Sequence, residues 1–264
     1  MRRIVVAFLI IAGSLFSHGG NTAIAADPDP RLILAPSGVL RVGLYPGTPT
    51  SILPGSGEPR GVGYDLGKEL ARRLGVPYEP VVFARNAEVL AAVKSGEVDV
   101  GFTNATATRA RDMDFGPPFL EIELGYLVPR GSALASPADV DSPGLRVGVT
   151  TGSSSDAALS RDFKHAGIVR AATFDVAVEM MSAGAIDAYA TNKASLFEMA
   201  EKLPGSRVLD GRWGIERFAI AIPKGRDQAM AFLRQFTNEV KSEGLVSAAI
   251  ARAGLRGAVT AAAE

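Results

Sequence analysis

Arg109 sits in the stretch where residue types and spacing combine most clearly for recognition chemistry, GFTNATATRARDMDFGPPF over residues 101–119. Val98, Val100 and Phe102 alternate with other residues, as at the exit of a buried strand. A polar loop with Asn104, Thr106 and Arg109 follows. It leads to Asp114-Phe115-Gly-Pro-Pro-Phe119, where two prolines force an extended path. An arginine just past the carboxyl end of a strand, beside small hydroxyl and amide side chains, suits a carboxylate. Its planar fork can donate two parallel bonds, each worth roughly 1.5–3 kcal/mol because both partners are charged. The competing reading is an exposed arginine in a surface salt bridge, which contributes little.

A second polar loop, Thr150-Thr-Gly-Ser-Ser-Ser155, follows the strand pattern Gly144-Leu-Arg-Val-Gly-Val149 and opens a helix. Such a helix start offers free N–H groups and positive dipole to an anion. Ser153 and Ser154 are therefore candidate ligand donors, and a plain serine cap is the alternative. An internal repeat ties the two regions together. Gly96-Glu-Val-Asp99 is followed by Thr103-Asn104, and Gly184-Ala-Ile-Asp187 by Thr191-Asn192. In both copies a helix stop leads into a strand that delivers Thr-Asn at its carboxyl end. Two matched units of this kind imply two lobes whose strand ends face one cleft. Asn192 reads equally as a cap for a helix over 193–202.

Other chemistry finds little support. The 28 basic and 28 acidic residues balance, and there is no cysteine, so a basic nucleic-acid footprint, disulfides and cysteine metal sites are excluded. Of the two histidines, His18 lies in the leader and His165 stands alone beside a helix end. No Ser/His/Asp set has a supporting motif. Gly57–Gly63 lacks the ending of a phosphate loop and reads as a turn. Trp213 reads as packing, and the pairs Glu121/Glu123 and Asp112/Asp114 as solvated charges.

The elements that position these residues can be traced in order. Arg2-Arg3, the apolar run Ile4–Leu15 and Ala23-Ile24-Ala25 have the three regions of a signal peptide over residues 1–25. The apolar run is too short to span a bilayer of ~30 Å. No cysteine follows the cleavage point to take a lipid, so the mature chain is expected to be exported and soluble, with a small negative charge. Residues 27–38 read as a loose lead-in. Leu40–Leu44 is a short strand opening into a Pro- and Gly-rich loop that begins at Tyr45. Leu66, Leu70 and Leu74 mark a helix stopped by Gly75, with Asp65 as N-cap. Strand 79–83, helix 87–94 and strand 97–103 complete a β/α alternation, which implies a mostly parallel sheet. Phe119–Leu124 leaves this unit and Arg217–Pro223 returns to it. Asp227 is expected to cap a last long helix, and a shorter one follows over 245–253.

The spacing Thr106-x-x-Arg109-x-Arg111-x-x-Asp114-Phe115, followed by Pro118-Phe119, resembles the T-x-x-R-x-K-x-x-D-F…P-Y signature of family 3 periplasmic solute-binding proteins. These are the polar amino acid receptors of ABC importers. The resemblance runs from about 38 to 253 and implies an α/β, two-lobed type II periplasmic binding fold with two crossing strands. Residues 38–120 plus 219–257 would form a discontinuous first lobe and 124–214 the second, with 121–123 and 215–218 as hinge. It implies that Arg109 holds a ligand carboxylate, that Gly152-Ser153-Ser154 fills the family's G-T-T or G-T-S slot, and that Asn104, Thr106, Asn192 and Tyr45 complete the ligand set. It also implies a periplasmic monomer without cofactor, metal or nucleic acid, handing a small carboxylate ligand to an inner-membrane ABC permease in trans. The alternatives are an exported enzyme on the same scaffold, resembling cyclohexadienyl dehydratase, and a sensory subunit.

Several positions depart from the pattern. Amino acid receptors of this kind carry an Asp for the ligand ammonium where Asn192 stands here, and an amide supplies no countercharge. The aromatics expected to stack on a ligand fall at Asn86 and near Thr48, leaving Tyr45 as the nearest candidate. The ligand therefore need not be an α-amino acid, unless its ammonium rests on another acid such as Asp65 or Glu121.

Overall fold

The computed structural model describes residues 28–46, 48–53 and 57–262. The expected leader at 1–25 lies outside them. Where a loose lead-in is expected, the chain instead forms a short helix, α1 (Pro30–Leu34). Asp29 caps it by accepting from the Arg31 N–H at 3.0 Å, proline occupies its first turn, and Leu34 is wholly buried.

The first α/β unit is β1 (Leu40–Leu44), α2 (Val62–Leu74), β2 (Tyr78–Val82), α3 (Asn86–Ser95) and β3 (Val100–Asn104). Leu66, Leu70 and Leu74 line the buried face of α2, and Gly75 ends it in the left-handed conformation. The expected cap is corrected: Gly61 occupies the N-cap, and Asp65 lies inside the first turn, bound to Arg252. Gly61 has φ +146°, and a Cβ there would lie 2.2 Å from the Ser51 carbonyl oxygen, so only glycine fits.

A sixteen-residue strand, β4 (Met113–Val128), leaves this unit. The second unit is β5 (Arg146–Thr150), α4 (Ser154–Asp162), β6 (Gly167–Ala171), α5 (Phe174–Ser182), β7 (Ala188–Asn192) and α6 (Lys193–Lys202). A two-residue strand, β8 (Arg207–Val208), precedes the return strand, β9 (Gly214–Pro223). Then come α7 (Met230–Ser242), α8 (Leu245–Ala253) and β10 (Ala258–Thr260). Asp227 does not cap α7. It starts a 3-10 turn, and no side-chain cap bond is made at either start.

The strands hydrogen-bond in the order β2-β1-β3-β9-β4-β7-β5-β6, with β8 and β10 also on β4. The two flanks are parallel; β9 and β4 run antiparallel to each other and to their neighbours. These two are the strands that cross between lobes. Their register shifts on either side of Pro118, as expected where prolines cannot donate to a ladder. The buried clusters divide accordingly. One joins Leu40, Leu66, Phe102, Ile220 and Phe236, and a smaller one lies under α3. Two others, around Val147 with Tyr126 and around Tyr189 with Met181, belong to the second unit.

The internal repeat is physical as well as textual. In the first copy Asp99 accepts from Arg41 N at 3.1 Å, Nε at 2.9 Å and Nη2 at 2.8 Å, while Nη2 also donates to the Gly96 carbonyl. In the second, Asp187 accepts from Arg146 N at 2.8 Å, Nε at 3.0 Å and Nη2 at 2.7 Å, and Nη2 donates to the Gly184 carbonyl. Each Arg lies in the first two residues of the first strand of its unit, and each Asp leads into the strand ending in Thr-Asn. Both copies thus deliver an asparagine to the middle of the molecule.

Candidate functional site

Arg109 begins a 3-10 turn just beyond β3 and is half-buried. Its Nη1 donates to Thr103 Oγ1 at 2.8 Å and to the Asn104 carbonyl at 2.9 Å. Both bonds use one nitrogen, so Nη2 and Nε remain to face a planar acceptor. Burial pushes the guanidinium below its usual range, and the nearby charges of Glu216 and Tyr45 oppose that fall. Among the described residues Arg109 makes no surface salt bridge, and its described side-chain bonds go to neutral oxygens. Thr106 Oγ1 accepts from the Arg109 backbone N–H at 3.2 Å, so this threonine shapes the turn that presents the arginine.

Glu216, on β9, is near enough for its charge to act on Arg109 and Tyr45. It is only 7% exposed, and its carboxylate accepts three hydrogen bonds from uncharged groups. Asn104 Nδ2 donates to Oε1 at 3.1 Å, the Ser154 hydroxyl donates to Oε1, and Asn192 Nδ2 donates to Oε2 at 3.1 Å. The two asparagines of the repeat therefore hold the two oxygens of one carboxylate. Sequence reading missed this residue. The available signal was its phase: Glu216 shares a strand face with Phe218, Ile220 and Ile222, all buried, while Arg217 points out.

The other candidates are placed as follows. Asn192 fills its expected cap role, its Oδ1 accepting from the Ser195 N–H at 3.0 Å at the start of α6, while its Nδ2 goes to Glu216. Ser153 caps α4, accepting from the Asp156 N–H at 3.0 Å, whereas Ser154 points to Glu216. Tyr45 leaves β1 beside the cluster. Burial pushes its phenol up, with Glu216 adding to the rise while a bond to Thr50 and the charge of Arg109 oppose it. Its backbone N–H donates to Ser51 Oγ at 2.9 Å. Thr48 is occupied by a 2.9 Å bond to Thr50. Asn86 starts α3 with its Oδ1 buried and without a hydrogen-bond partner.

The two acids considered for a ligand ammonium already hold cations: Asp65 binds Arg252 and Glu121 binds Arg217 at 3.0 Å. Glu123, Asp112 and Asp114 are likewise paired with lysines or arginines. Trp213 packs, donating to the Gly125 carbonyl at 3.0 Å and lying against Tyr126. A separate surface groove between α2 and α8, lined by Asp65, Leu66, Leu245 and Arg252, contains none of the cluster residues. Among the described residues no group of three or more His, Asp or Glu could hold a metal ion, and no helix is long and apolar enough to cross a membrane.

An arginine fork and a carboxylate thus lie on either side of Asn104, and the carboxylate is held by asparagines from both repeated units. Residues 40–253 match the model of the bacterial extracellular solute-binding proteins, family 3. The chain belongs to that family. The glutamine-binding protein of an ABC transporter from Bacillus subtilis is 23% identical over 195 residues, covering 72% of this chain and 71% of the relative. The solved solute receptor for L-cysteine from Neisseria gonorrhoeae superposes with a TM-score of 0.72 at 23% identity, over 87% of this chain and 94% of its own. An ancestral amino acid-binding protein, described as a precursor of cyclohexadienyl dehydratase, gives 0.69 at 24% identity, over 82% and 95%. These likenesses agree on the two-lobed fold.

Proposed function

We propose that this family member is a periplasmic receptor that captures a small carboxylate-bearing solute, an amino acid or related organic acid, and delivers it to an inner-membrane ABC importer. The lobes in this reading are 38–120 plus 219–257 and 124–214, hinged at 121–123 and 215–218. The observation that carries it is Arg109: a half-buried cation whose described side-chain bonds go to neutral oxygens and leave two donors for a carboxylate. Contacts from both lobes would favour a closed state that the permease reads. In this reading Ser153, Ser154, Asn104, Thr106, Asn192 and Tyr45 complete the ligand set, and the protein acts as a monomer.

A thermal-shift screen of the chain from residue 26, which keeps every described element, tests this against amino acids, hydroxy acids, dicarboxylates and short peptides. A ligand at ~1,000 times its dissociation constant should add about 4 kcal/mol of stability. A screen in which no carboxylate raises the melting temperature would sink the reading.

Glu216 favours one second reading, an exported dehydratase on this scaffold, because it is a nearly buried acid at the crossing strands, of the kind such chemistry needs. Incubation with prephenate or arogenate decides between them: the receptor reading expects no aromatic product.

A further inference from the structure

We propose that Glu216 is the group that recognises a ligand cation, and that the ligand is therefore an α-amino acid whose ammonium rests on Glu216 while its carboxylate rests on Arg109. This deepens the receptor reading and rests on it.

The argument begins with the cost of the carboxylate. Glu216 is almost wholly buried, and its three hydrogen-bond donors, Asn104, Ser154 and Asn192, are all neutral. Neutral donors satisfy lone pairs but bring no countercharge, and Arg109, whose charge acts on Glu216 through space, makes no described hydrogen bond or ion pair with it; a buried charge is stable only when paired. The acid is held from both sides, by Asn104 at the end of β3 and by Asn192 at the end of β7. A group needed only for packing would not require two amides from the two repeated units on its two oxygens.

The second step is spacing. Asn104 separates the two charges by a single residue. Its backbone carbonyl accepts from Arg109 Nη1 at 2.9 Å, and its side-chain amide donates to Glu216 Oε1 at 3.1 Å. A positive fork and a negative carboxylate on either side of one asparagine match a ligand whose opposite charges are adjacent. A zwitterion whose ammonium and carboxylate are carried on one carbon meets that arrangement. A hydroxy acid satisfies only the Arg109 side and leaves Glu216 uncompensated. The third step removes rivals: Asp65 and Glu121 are bound to Arg252 and Arg217, and position 192 is an amide.

The experiment uses the chain from residue 26, titrated calorimetrically with the twenty common L-amino acids. The tightest of them is then compared with its 2-hydroxy-acid counterpart and its N-acetyl derivative. Wild type is expected to prefer the amino acid at least tenfold over both. Glu216→Gln should reduce that preference at least tenfold, mainly by weakening the amino acid, whereas Glu216→Asp, which keeps the charge, should retain a preference. Arg109→Ala should weaken the amino acid and the hydroxy acid alike. Thermal unfolding of each variant checks that it is folded. If Glu216→Gln is folded and keeps the wild-type preference while Arg109→Ala loses binding, Glu216 does not read the cation, and the carboxylate-receptor reading survives without it. If wild type binds the hydroxy acid as tightly as the amino acid, the inference fails in the same way. If none of the twenty amino acids, and no carboxylate of the thermal-shift panel, binds wild type, the receptor reading fails and takes this inference with it.

Discussion

Replacing Arg109 by alanine is the perturbation whose consequences follow most directly from the geometry. The side chain has two nitrogens, Nη2 and Nε, beyond the one used by Thr103 and Asn104. Two charge-assisted bonds to a ligand carboxylate, at roughly 1.5–3 kcal/mol each, are worth about 3–6 kcal/mol, or about a hundredfold to ten-thousandfold in affinity. Arg109→Lys keeps the charge but not the fork, so it should lose about one bond and roughly ten- to a hundredfold. The free protein should change far less. Two ordinary bonds at about 1 kcal/mol each are lost, and relief of the burial that lowers the guanidinium's pKa offsets part of that. Both variants should therefore remain folded, with calorimetric titration of the best amino acid as the assay. A folded Arg109→Ala protein that binds within threefold of wild type would refute the reasoning.

The twin Arg–Asp networks make a paired stability prediction, read by urea or thermal unfolding. Asp99 is fully buried, so Arg41→Ala strands a carboxylate with only Arg226 nearby and should cost about 3 kcal/mol, or roughly 6–12 °C for a chain of this size. Arg146→Ala breaks the same pattern where Arg146 and Asp187 are 47% and 32% exposed, and should cost about 1 kcal/mol or less. A third prediction concerns pH. Bonds from Arg72, with Arg73 adding to them and burial opposing, hold Glu69 down at about 2 from an ordinary 4.5. A depressed carboxylate stabilises the fold above its unfolded pKa and loses that contribution as pH falls from 4.5 toward 2. Glu69→Gln should flatten the acid limb of the stability curve by on the order of 1–3 kcal/mol across that window, and parallel acid limbs would count against it.

Much of this molecule was legible from residue types, because the fold is built from short-range signals. The leucine spacing of α2 with its glycine stop, the prolines of β4 and the span of α8 all follow from local chemistry. The repeat was legible too, since Asp99 and Asp187 occupy matching places just before their strands. Helix starts were less so. Asp65 and Asp227 have the right side chains but lie within or before a turn, while Asp29, with a proline behind it, does cap a helix in what looked like a loose segment. The candidate site was half legible. Arg109, Asn104, Ser154 and Asn192 stand out by position, yet what three of them hold does not. Glu216 lies 112 residues from Asn104 and 62 from Ser154, in no motif, among charges that flank a crossing strand. Only pairing of β9 with β3 and β4 brings it inward, and that contact is set by the whole sheet.

The most direct test of the central claim is a crystal structure of the chain from residue 26 grown with its tightest amino acid. The account predicts the ligand carboxylate on Arg109 Nη2 and Nε, and its ammonium on Glu216, between the asparagines of the two repeats. A ligand bound away from Arg109, or turned so that its carboxylate lies elsewhere, would contradict it.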